Sequence, residues 1–281
     1  MTTTFGAWID SPPVEVLKPS WWAQFRELGF STGAIMVETF REGLDERWKD
    51  DQIAHAGVLA RMADVELVLT FCPEPKVSYL NEFERRAPAL CEMSGAAALD
   101  SDAEGNFLKS KLEGYPSLEA AATDYVSIIR KFSRTLDIRL ELDTYPFHQE
   151  NSANAKLAPL CDRIYAQAYS VRKREDGTGQ EILVDWDDRF GPELMAKITL
   201  DRTLQIPGVK DRTGPQLCVG AAAYDQSGWP GKTAHEAMKT ALDAMLIYKP
   251  IEVRYWSTRH IFGPRANSYA VPFFRSLLRP V

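Results

Sequence analysis

The chain repeats one pattern along its length, in which a short apolar run is followed by a polar loop and then by an amphipathic segment. The apolar runs are 5–9, 33–37, 65–71, 96–99, 138–142, 163–169, 216–223 and 251–256. The amphipathic segments between them are 19–28, 45–62, 79–93, 117–136, 151–160, 191–200 and 233–248. Because consecutive parallel strands need a crossover helix, this alternation predicts a parallel β-sheet covered by helices.

The number of units narrows the fold further. Eight apolar runs joined by seven amphipathic segments make about eight strand–helix units in 281 residues. This number is typical of an α/β fold of the (β/α)8 (TIM) barrel type, here as a single domain over residues 1–281. A doubly wound open sheet is the alternative, but the first run leads into Ile9-Asp10-Ser11-Pro12-Pro13, which has no glycine for a Rossmann nucleotide site. Residues 171–215, with a turn signal at Asp176-Gly177-Thr178-Gly179, are predicted to form a long loop insertion between the sixth and seventh strands. Long insertions of this kind often shape the substrate cleft of a barrel.

The net charge and the lengths of the apolar stretches argue against two classes of partner, nucleic acids and membranes. The formal net charge is −6 and no long run of Lys and Arg is present, unlike the basic surface of a nucleic-acid-binding protein. No apolar stretch reaches the roughly 18 residues that a membrane span needs, so we expect no membrane insertion. The N-terminus has neither the basic nor the apolar region of a secretory signal, and we therefore expect a soluble chain made in the cytoplasm.

Cysteine and histidine spacing argues against metal chemistry. The four cysteines form no CxxC pair, so neither a zinc site nor a disulfide framework is predicted. The four histidines show no HxH or HExxH spacing, and no GxSxG elbow of a serine hydrolase is present. We expect no metal and no cofactor, and the alternative is a metal-dependent barrel hydrolase that uses carboxylates alone.

Three carboxylates follow the fourth apolar run at alternate positions: Asp100, Asp102 and Glu104. In a β-strand, alternate side chains point to the same face, so all three would face one way. Like charges on one face repel, and at least one of the three should have a raised pKa. An enzyme that needs a proton donor beside an ionised neighbour uses this arrangement. The alternative is an acidic turn at a strand end, fully solvated.

The other predicted strands also end in polar or aromatic residues, as expected if chemistry lies at the carboxyl ends of barrel strands. In chain order these are Trp8 and Asp10, Glu38, Cys72 and Glu74, then Glu141, Asp143 and Tyr145, Tyr165, Gln167 and Tyr169, Tyr224 and Asp225, and finally Trp256. Each has a structural alternative when taken singly, and Trp8 or Trp256 alone is more often a core residue. Together they predict a mouth lined by carboxylates, which hydrolyse glycosidic bonds, and by rings, on which sugar faces stack.

Three of these segments resemble the family 18 glycoside hydrolases, which are the chitinase and plant chitinase-lysozyme barrels. Asp100-Ser101-Asp102-Ala103-Glu104 resembles the DxDxE core of that family, on the expected fourth strand. Gln167-Ala168-Tyr169 is similar to its Q-x-Y segment, and Tyr255-Trp256-Ser257 is similar to its closing tryptophan segment. The chain departs from the pattern at Ala97, where the family has its first Asp, and at Ala103, where an aromatic residue usually precedes the catalytic Glu.

A second resemblance is to the family 25 lysozymes, the muramidases of phages and bacteria. These also carry an Asp-x-Glu at a strand end and add an Asp on the first strand, for which Asp10 is the candidate. Their opening glycine-led motif is not closely reproduced here. Both families act on N-acetylated sugars with retention of configuration.

The family 18 resemblance implies roles for individual residues in a substrate-assisted reaction. Glu104 would protonate the glycosidic oxygen, and Asp102 would orient the 2-acetamido group whose carbonyl attacks the anomeric carbon. Asp100 would share a proton with Asp102. Tyr169 would bind the acetamido oxygen and Trp256 would form the floor of the sugar subsite. The further substrate-binding candidates are Trp8, Asp10, Glu38, Asp143, Tyr145, Gln167 and Tyr224.

The implied substrate is a β-1,4-linked polymer of N-acetylated amino sugars, with peptidoglycan expected first and chitin second. An endolysin of the phage type fits the expected cytoplasmic synthesis, because another protein opens its path to the cell wall. No obligate protein partner is indicated. The alternative of a different class is a barrel that binds glycans, or serves a structural purpose, without cutting them.

Overall fold

The computed structural model describes residues 3–37, 48–103, 107, 112–144, 152–168, 172–175, 181–184, 192–223, 233–262, 266 and 268–278, with the backbone alone described at 152, 172–175, 181–184 and 234. The strands are β1 (Thr4–Ile9), β2 (Phe30–Met36), β3 (Glu66–Phe71), β4 (Ala98–Asp102), β5 (Arg139–Thr144), β6 (Arg163–Gln167), β7 (Arg172–Glu175), β8 (Glu181–Val184), β9 (Gln216–Ala222) and β10 (Glu252–Trp256). The α-helices are α1 (Pro13–Val16), α2 (Pro19–Glu27), α3 (Asp50–Met62), α4 (Val77–Ser94), α5 (Leu118–Thr135), α6 (Ser152–Leu157), α7 (Pro192–Thr203), α8 (Ala234–Leu246) and α9 (Ala270–Leu277).

Eight of the strands form a closed parallel barrel in the order β1-β2-β3-β4-β5-β6-β9-β10. The barrel closes because β1 pairs in parallel with both β2 and β10. Closure confirms the predicted (β/α)8 barrel and rules out the open sheet. Within the described residues, no helix is both long and apolar enough to cross a bilayer.

The carboxylate strand differs from its predicted bounds. The sequence places a strand at 96–99 with the carboxylates after it, whereas β4 begins at Ala98 and continues to Asp102. Its pairing with β5 brings Asp100 opposite Glu141 and Asp102 opposite Asp143. The strand can continue through charged residues because their side chains enter the barrel interior, where a cation is available to them.

Outward-facing strand residues anchor the helices. Helix α5 begins at the cap residue Ser117, whose hydroxyl accepts the Ala120 N–H at 3.1 Å. Its buried side chains recur every three or four residues, as expected for a helix lying on a sheet. The Tyr125 hydroxyl is 2.7 Å from the Ser101 hydroxyl of β4, which ties this helix to the carboxylate strand.

Three parts of the fold were not predicted: the short helix α1, the hairpin of β7 and β8, and the last helix α9. The segment 171–215 contains an antiparallel hairpin of β7 and β8 as well as α7, of which only the helix was expected. The four-residue strands RKRE and EILV show little apolar alternation, and the predicted turn between them at 176–179 lies outside the described residues. Helix α9 covers the end of the barrel wall, where Phe274 packs on Phe30 and Tyr255 at ring distances of 4.8 and 4.7 Å.

Candidate active site

The two described carboxylates of β4 lie at different depths in the barrel. Asp100 is fully buried, and Asp102, at the carboxyl end of the strand, is half-buried. The Cys72 thiol lies 3.6 Å from Asp102 Oδ2. The predicted common orientation therefore holds for Asp100 and Asp102, while Glu104 lies outside the described residues.

Asp100 is held from three other strands. Its Oδ2 accepts a hydrogen bond from the Thr70 hydroxyl on β3 at 2.9 Å and from the Trp8 indole N–H on β1 at 3.3 Å. Arg254 on β10 places its Nη1 3.6 Å from the same oxygen. These contacts fix the carboxyl group in one orientation beneath the barrel mouth.

The pKa of Asp100 is raised to about 7, chiefly because burial penalises the charged form. The Arg254 guanidinium opposes this rise, and the negative charge of Glu141 adds to it, as does that of Asp102. The sequence predicted a raised pKa from like-charge repulsion, but burial is the larger cause. A carboxyl group that titrates near neutrality beside a second carboxylate is suited to proton sharing.

Arg254 lies at the centre of the interior and was not predicted from the sequence. It is fully buried, with Nη2 2.9 Å from Glu141 Oε2 and 2.7 Å from the Tyr165 hydroxyl oxygen, and Nε 3.0 Å from Glu252 Oε1. One sequence signal pointed to it. Alternate residues of a strand face the same side, and the last strand has Glu252, Arg254 and Trp256 at alternate positions. If Trp256 faces the barrel interior, the two charged residues must face it as well.

Aromatic rings surround this guanidinium. Its carbon lies 3.8 Å from the Tyr165 ring centroid and 5.3 Å from that of Trp8. Trp8 in turn contacts Trp256 at a ring distance of 6.1 Å. Trp8 is fully buried, whereas Trp256 is half-buried, and the peptide bond between Trp256 and Ser257 is cis. Trp8 is thus a core residue, which was the structural alternative to a place in the barrel mouth.

The remaining candidates separate into three groups. Gln167 and Asp143 are buried on the inner face of the wall, and Asp143 is opposite Asp102 in the β4–β5 register. Asp10 follows β1 and accepts the backbone N–H of Arg259 at 3.2 Å, while its carboxylate also pairs with the Arg259 guanidinium. The candidates outside the described residues are Glu38, Tyr145, Tyr169 and Tyr224.

A separate cavity of about 430 Å³ lies outside the barrel wall, between β5, α6 and the loop after α7. Its lining includes Leu142, Thr144, Ala158 and Ile206. It does not contain the carboxylates. Over the part of the chain that the structure describes, no cluster of three or more His, Cys, Asp or Glu side chains could hold a metal ion.

Comparison with solved structures shows the same barrel in several carbohydrate-related proteins. A class V chitinase from Pseudomonas fluorescens Pf-5 has a TM-score of 0.61 at 10% identity, over 99% of this chain and 100% of that one. A chitinase from Rhizomucor miehei has a TM-score of 0.59 at 11% identity, over 98% and 100%. A xylanase-alpha-amylase inhibitor protein, solved with trehalose, has a TM-score of 0.57 at 12% identity, over 99% and 98%.

No protein-family model matches the sequence, and no curated protein matches it at a significant level. Identities of 10 to 12% establish a common fold and nothing finer. The comparisons support the family 18 resemblance at the level of the fold, and they do not show the family 25 resemblance. The chain therefore shares its barrel, end to end, with glycoside hydrolases of the chitinase type.

Proposed function

We propose that this protein is a glycoside hydrolase that acts on polymers of β-1,4-linked N-acetylated amino sugars. The observation that carries the proposal is the pair Asp100–Asp102 on the inner face of the fourth barrel strand, with Asp100 buried and its pKa raised to about 7. Active sites of (β/α)8 barrels lie at the carboxyl ends of the strands, and Asp102 is the last residue of β4. The two residues also correspond to the two aspartates of the DxDxE motif of the family 18 glycoside hydrolases, which this segment resembles.

The proposed reaction is substrate-assisted and proceeds with retention. Glu104 gives its proton to the glycosidic oxygen as the bond from that oxygen to the anomeric carbon breaks. The substrate's acetamido oxygen forms a bond to the same carbon, with Asp102 orienting the acetamido N–H. Water then attacks the anomeric carbon, gives a proton back to Glu104 and releases the acetamido group. Asp100 supplies a second site for the proton that Asp102 holds.

Substrate contacts are proposed for residues at the carboxyl ends of β6 and β10, the sixth and eighth strands of the barrel. Trp256 is the proposed floor of the sugar subsite, since it is half-buried and its ring is backed by Trp8 at 6.1 Å. Gln167, at the end of β6, and Tyr169, just beyond it in sequence, are the proposed partners of the acetamido oxygen.

Chitin oligosaccharides are the first substrate to test, because two of the compared structures are chitinases. Peptidoglycan, which was expected first from the sequence, has no support from these comparisons and is the second substrate. The assay incubates the protein with each polymer and measures reducing ends and product masses. The masses also distinguish a glucosaminidase from a muramidase.

The decisive variant is Glu104→Gln, which keeps the shape of the side chain and removes the proton donor. We expect hydrolysis to fall by about 100-fold or more, and Asp102→Asn to lose activity similarly. Asp137→Asn, which changes an exposed carboxylate after α5, is the matched control and should keep the parent rate. Cleavage by Glu104→Gln at the parent rate would show that the assignment is wrong.

A non-catalytic glycan-binding barrel is the second candidate function. Two observations favour it: Ala97 and Ala103 replace residues of the family pattern, and one protein of the same fold is a xylanase-alpha-amylase inhibitor. In that case calorimetry would detect binding of the oligosaccharides, weakened in Trp256→Ala, while no products form. Product formation by the parent would exclude this second function.

A further inference from the structure

The barrel interior contains an ionic group of which the proposed reaction uses Asp100 alone. We call it the interior charge cluster, and its members are Asp100, Glu141, Arg163, Glu252 and Arg254. Arg254 contacts three carboxylates of this cluster and is itself fully buried. Taking such a charge out of water is costly, so its presence calls for a reason beyond packing.

We propose that Arg254 is a positioning residue whose guanidinium controls the charge on Asp100, and through Asp100 the proton available to Asp102. The catalytic consequence rests on the proposed glycosidase function, whereas the electrostatic control of Asp100 does not. Arg254 touches neither substrate nor reacting atoms in this scheme.

The contacts of the guanidinium hold it in place. Nε is bound by Glu252 at 3.0 Å, and Nη2 by Glu141 at 2.9 Å and the Tyr165 oxygen at 2.7 Å. Nη1 points toward Asp100 Oδ2 at 3.6 Å and has no hydrogen-bond partner among the described residues. The guanidinium of Arg254 therefore acts on the Asp100 carboxyl group through its positive charge across a short, fixed distance. A neutral side chain at this position would remove the interaction.

Among the described groups that face Asp100 from the neighbouring strands, Arg254 is the one that carries a positive charge. In the described part of the chain, Arg254 supplies the one ion pair that Asp100 makes. The other groups are neutral donors or acids. They are the Trp8 indole on β1, the Thr70 hydroxyl on β3, Asp102 on β4 itself and Glu141 on β5. The charge of Asp100 also acts on the Tyr125 hydroxyl and the Cys161 thiol, while the Cys72 thiol lies against Asp102 and the Tyr165 hydroxyl against Arg254.

Burial and the neighbouring acids act on Asp100 in the opposite direction from Arg254. Burial raises the pKa of Asp100, as do Glu141 and Asp102, while Arg254 lowers it. Without the cation, Asp100 keeps its proton to a higher pH. Glu252 acts on Arg254 from the other side of the guanidinium, whereas the largest charge effects on the pKa of Asp100 come from Arg254, Glu141 and Asp102.

The experiment is a carboxyl-carbon NMR titration of protein labelled at aspartate, with the Asp100 resonance identified by its loss in Asp100→Asn. In Arg254→Met we expect the Asp100 titration to move upward by about one pH unit or more. Glu252→Gln is the matched control, since it disturbs the same cluster and leaves the Arg254–Asp100 pair, and should not move this titration. An unmoved resonance in Arg254→Met, or equal shifts in both variants, would overturn the proposal.

Removing Arg254 leaves buried carboxylates without their cation, which endangers folding. The double variant Glu141→Gln/Arg254→Met removes one charge of each sign and is compared with Glu141→Gln alone. The Asp100 titration should again lie higher in the double variant by about one pH unit or more. Equal titrations in this pair overturn the proposal even where Arg254→Met does not fold.

Hydrolysis separates this inference from the proposed function. If the parent cleaves chitin oligosaccharides, the pH profile of turnover in Arg254→Met should move in the direction of the Asp100 titration, and that of Glu252→Gln should match the parent. If the parent cleaves nothing, the proposed function fails while the titration still decides the control of Asp100. A moved titration with an unmoved profile would refute the link to Asp102.

Discussion

Asp100 should make the protein less stable as the pH rises, and Asp100→Asn should remove this effect. The pKa of Asp100 is about 7 in the folded protein against an ordinary value of 3.8. Below the ordinary value both states carry the proton. Between the two values only the folded state keeps it, so the unfolded chain gains from ionisation and stability falls as the pH rises. Above about pH 7 both states are ionised and the loss is constant.

The size of the effect follows from the difference between the two pKa values. Each pH unit corresponds to about 1.4 kcal/mol, so the loss between about pH 4 and about pH 8 reaches up to about 4 kcal/mol. Asparagine has nearly the same shape, and its carbonyl oxygen can accept the hydrogen bonds from Thr70 and Trp8. The lost ion pair with Arg254 adds a cost, but the pH-dependent part isolates the ionisation of Asp100.

Urea unfolding of parent and Asp100→Asn across this pH range measures the effect. We expect the unfolding free energy of Asp100→Asn, relative to the parent, to rise with pH by up to about 4 kcal/mol. Asp137→Asn is the control, and its difference from the parent should stay constant because the side chain is exposed. Unfolding free energies that run parallel for parent and Asp100→Asn would refute a buried, proton-retaining Asp100.

Three substitutions test the packing of the barrel by thermal or urea unfolding. Gly57→Ala should destabilise by about 1–3 kcal/mol although Ala favours helices, because its Cβ would lie 2.0 Å from the Ser94 carbonyl oxygen. Tyr125→Phe should cost about 1–3 kcal/mol, because it leaves the buried Ser101 hydroxyl without its partner at 2.7 Å. Gly95→Ala should cost about 1 kcal/mol or more of stability, since Gly95 follows the last residue of α4 and its φ is +63°.

Matched variants guard these three tests. Val58→Ala lies on an exposed face of α3 next to Gly57 and should be nearly neutral. Ser101→Ala/Tyr125→Phe removes both hydroxyls and should be less destabilised than the sum of the single changes. A stabilised Gly57→Ala, additive hydroxyl losses, or a neutral Gly95→Ala would each contradict the corresponding contact.

The order of strands and helices was predictable because it is a local property. Each barrel strand leaves an apolar run in the sequence, and each helix a pattern of apolar residues every three or four positions. The common orientation of Asp100 and Asp102 also follows from the alternation along one strand. The hairpin of β7 and β8 was missed, because its strands are short and one of them, RKRE, has no apolar residue.

The inward-facing carboxylates of the candidate site could be predicted from the sequence, but their electrostatics could not. The strand ends predict a mouth and the resemblance implies roles for Asp102 and Glu104, and both stay predictions. Arg254 was missed because two of its three carboxylate partners, Asp100 and Glu141, come from distant strands, and Asp100 is 154 positions away in the chain. Trp8 could be assigned to the core or the mouth from its sequence, and only the closed barrel encloses it.

By itself the sequence determined a parallel barrel of eight strands, with carboxylates on one face of the fourth. Tertiary structure alone decided the depth of those carboxylates and the charge that faces them. Closure through β1 and β10 places Trp8, Arg254 and Asp100 within contact distance and excludes water from them. The physical reason is that the energy of a charge depends on its distance to other charges and on the surrounding dielectric. Neither is a property of the chain until the barrel closes.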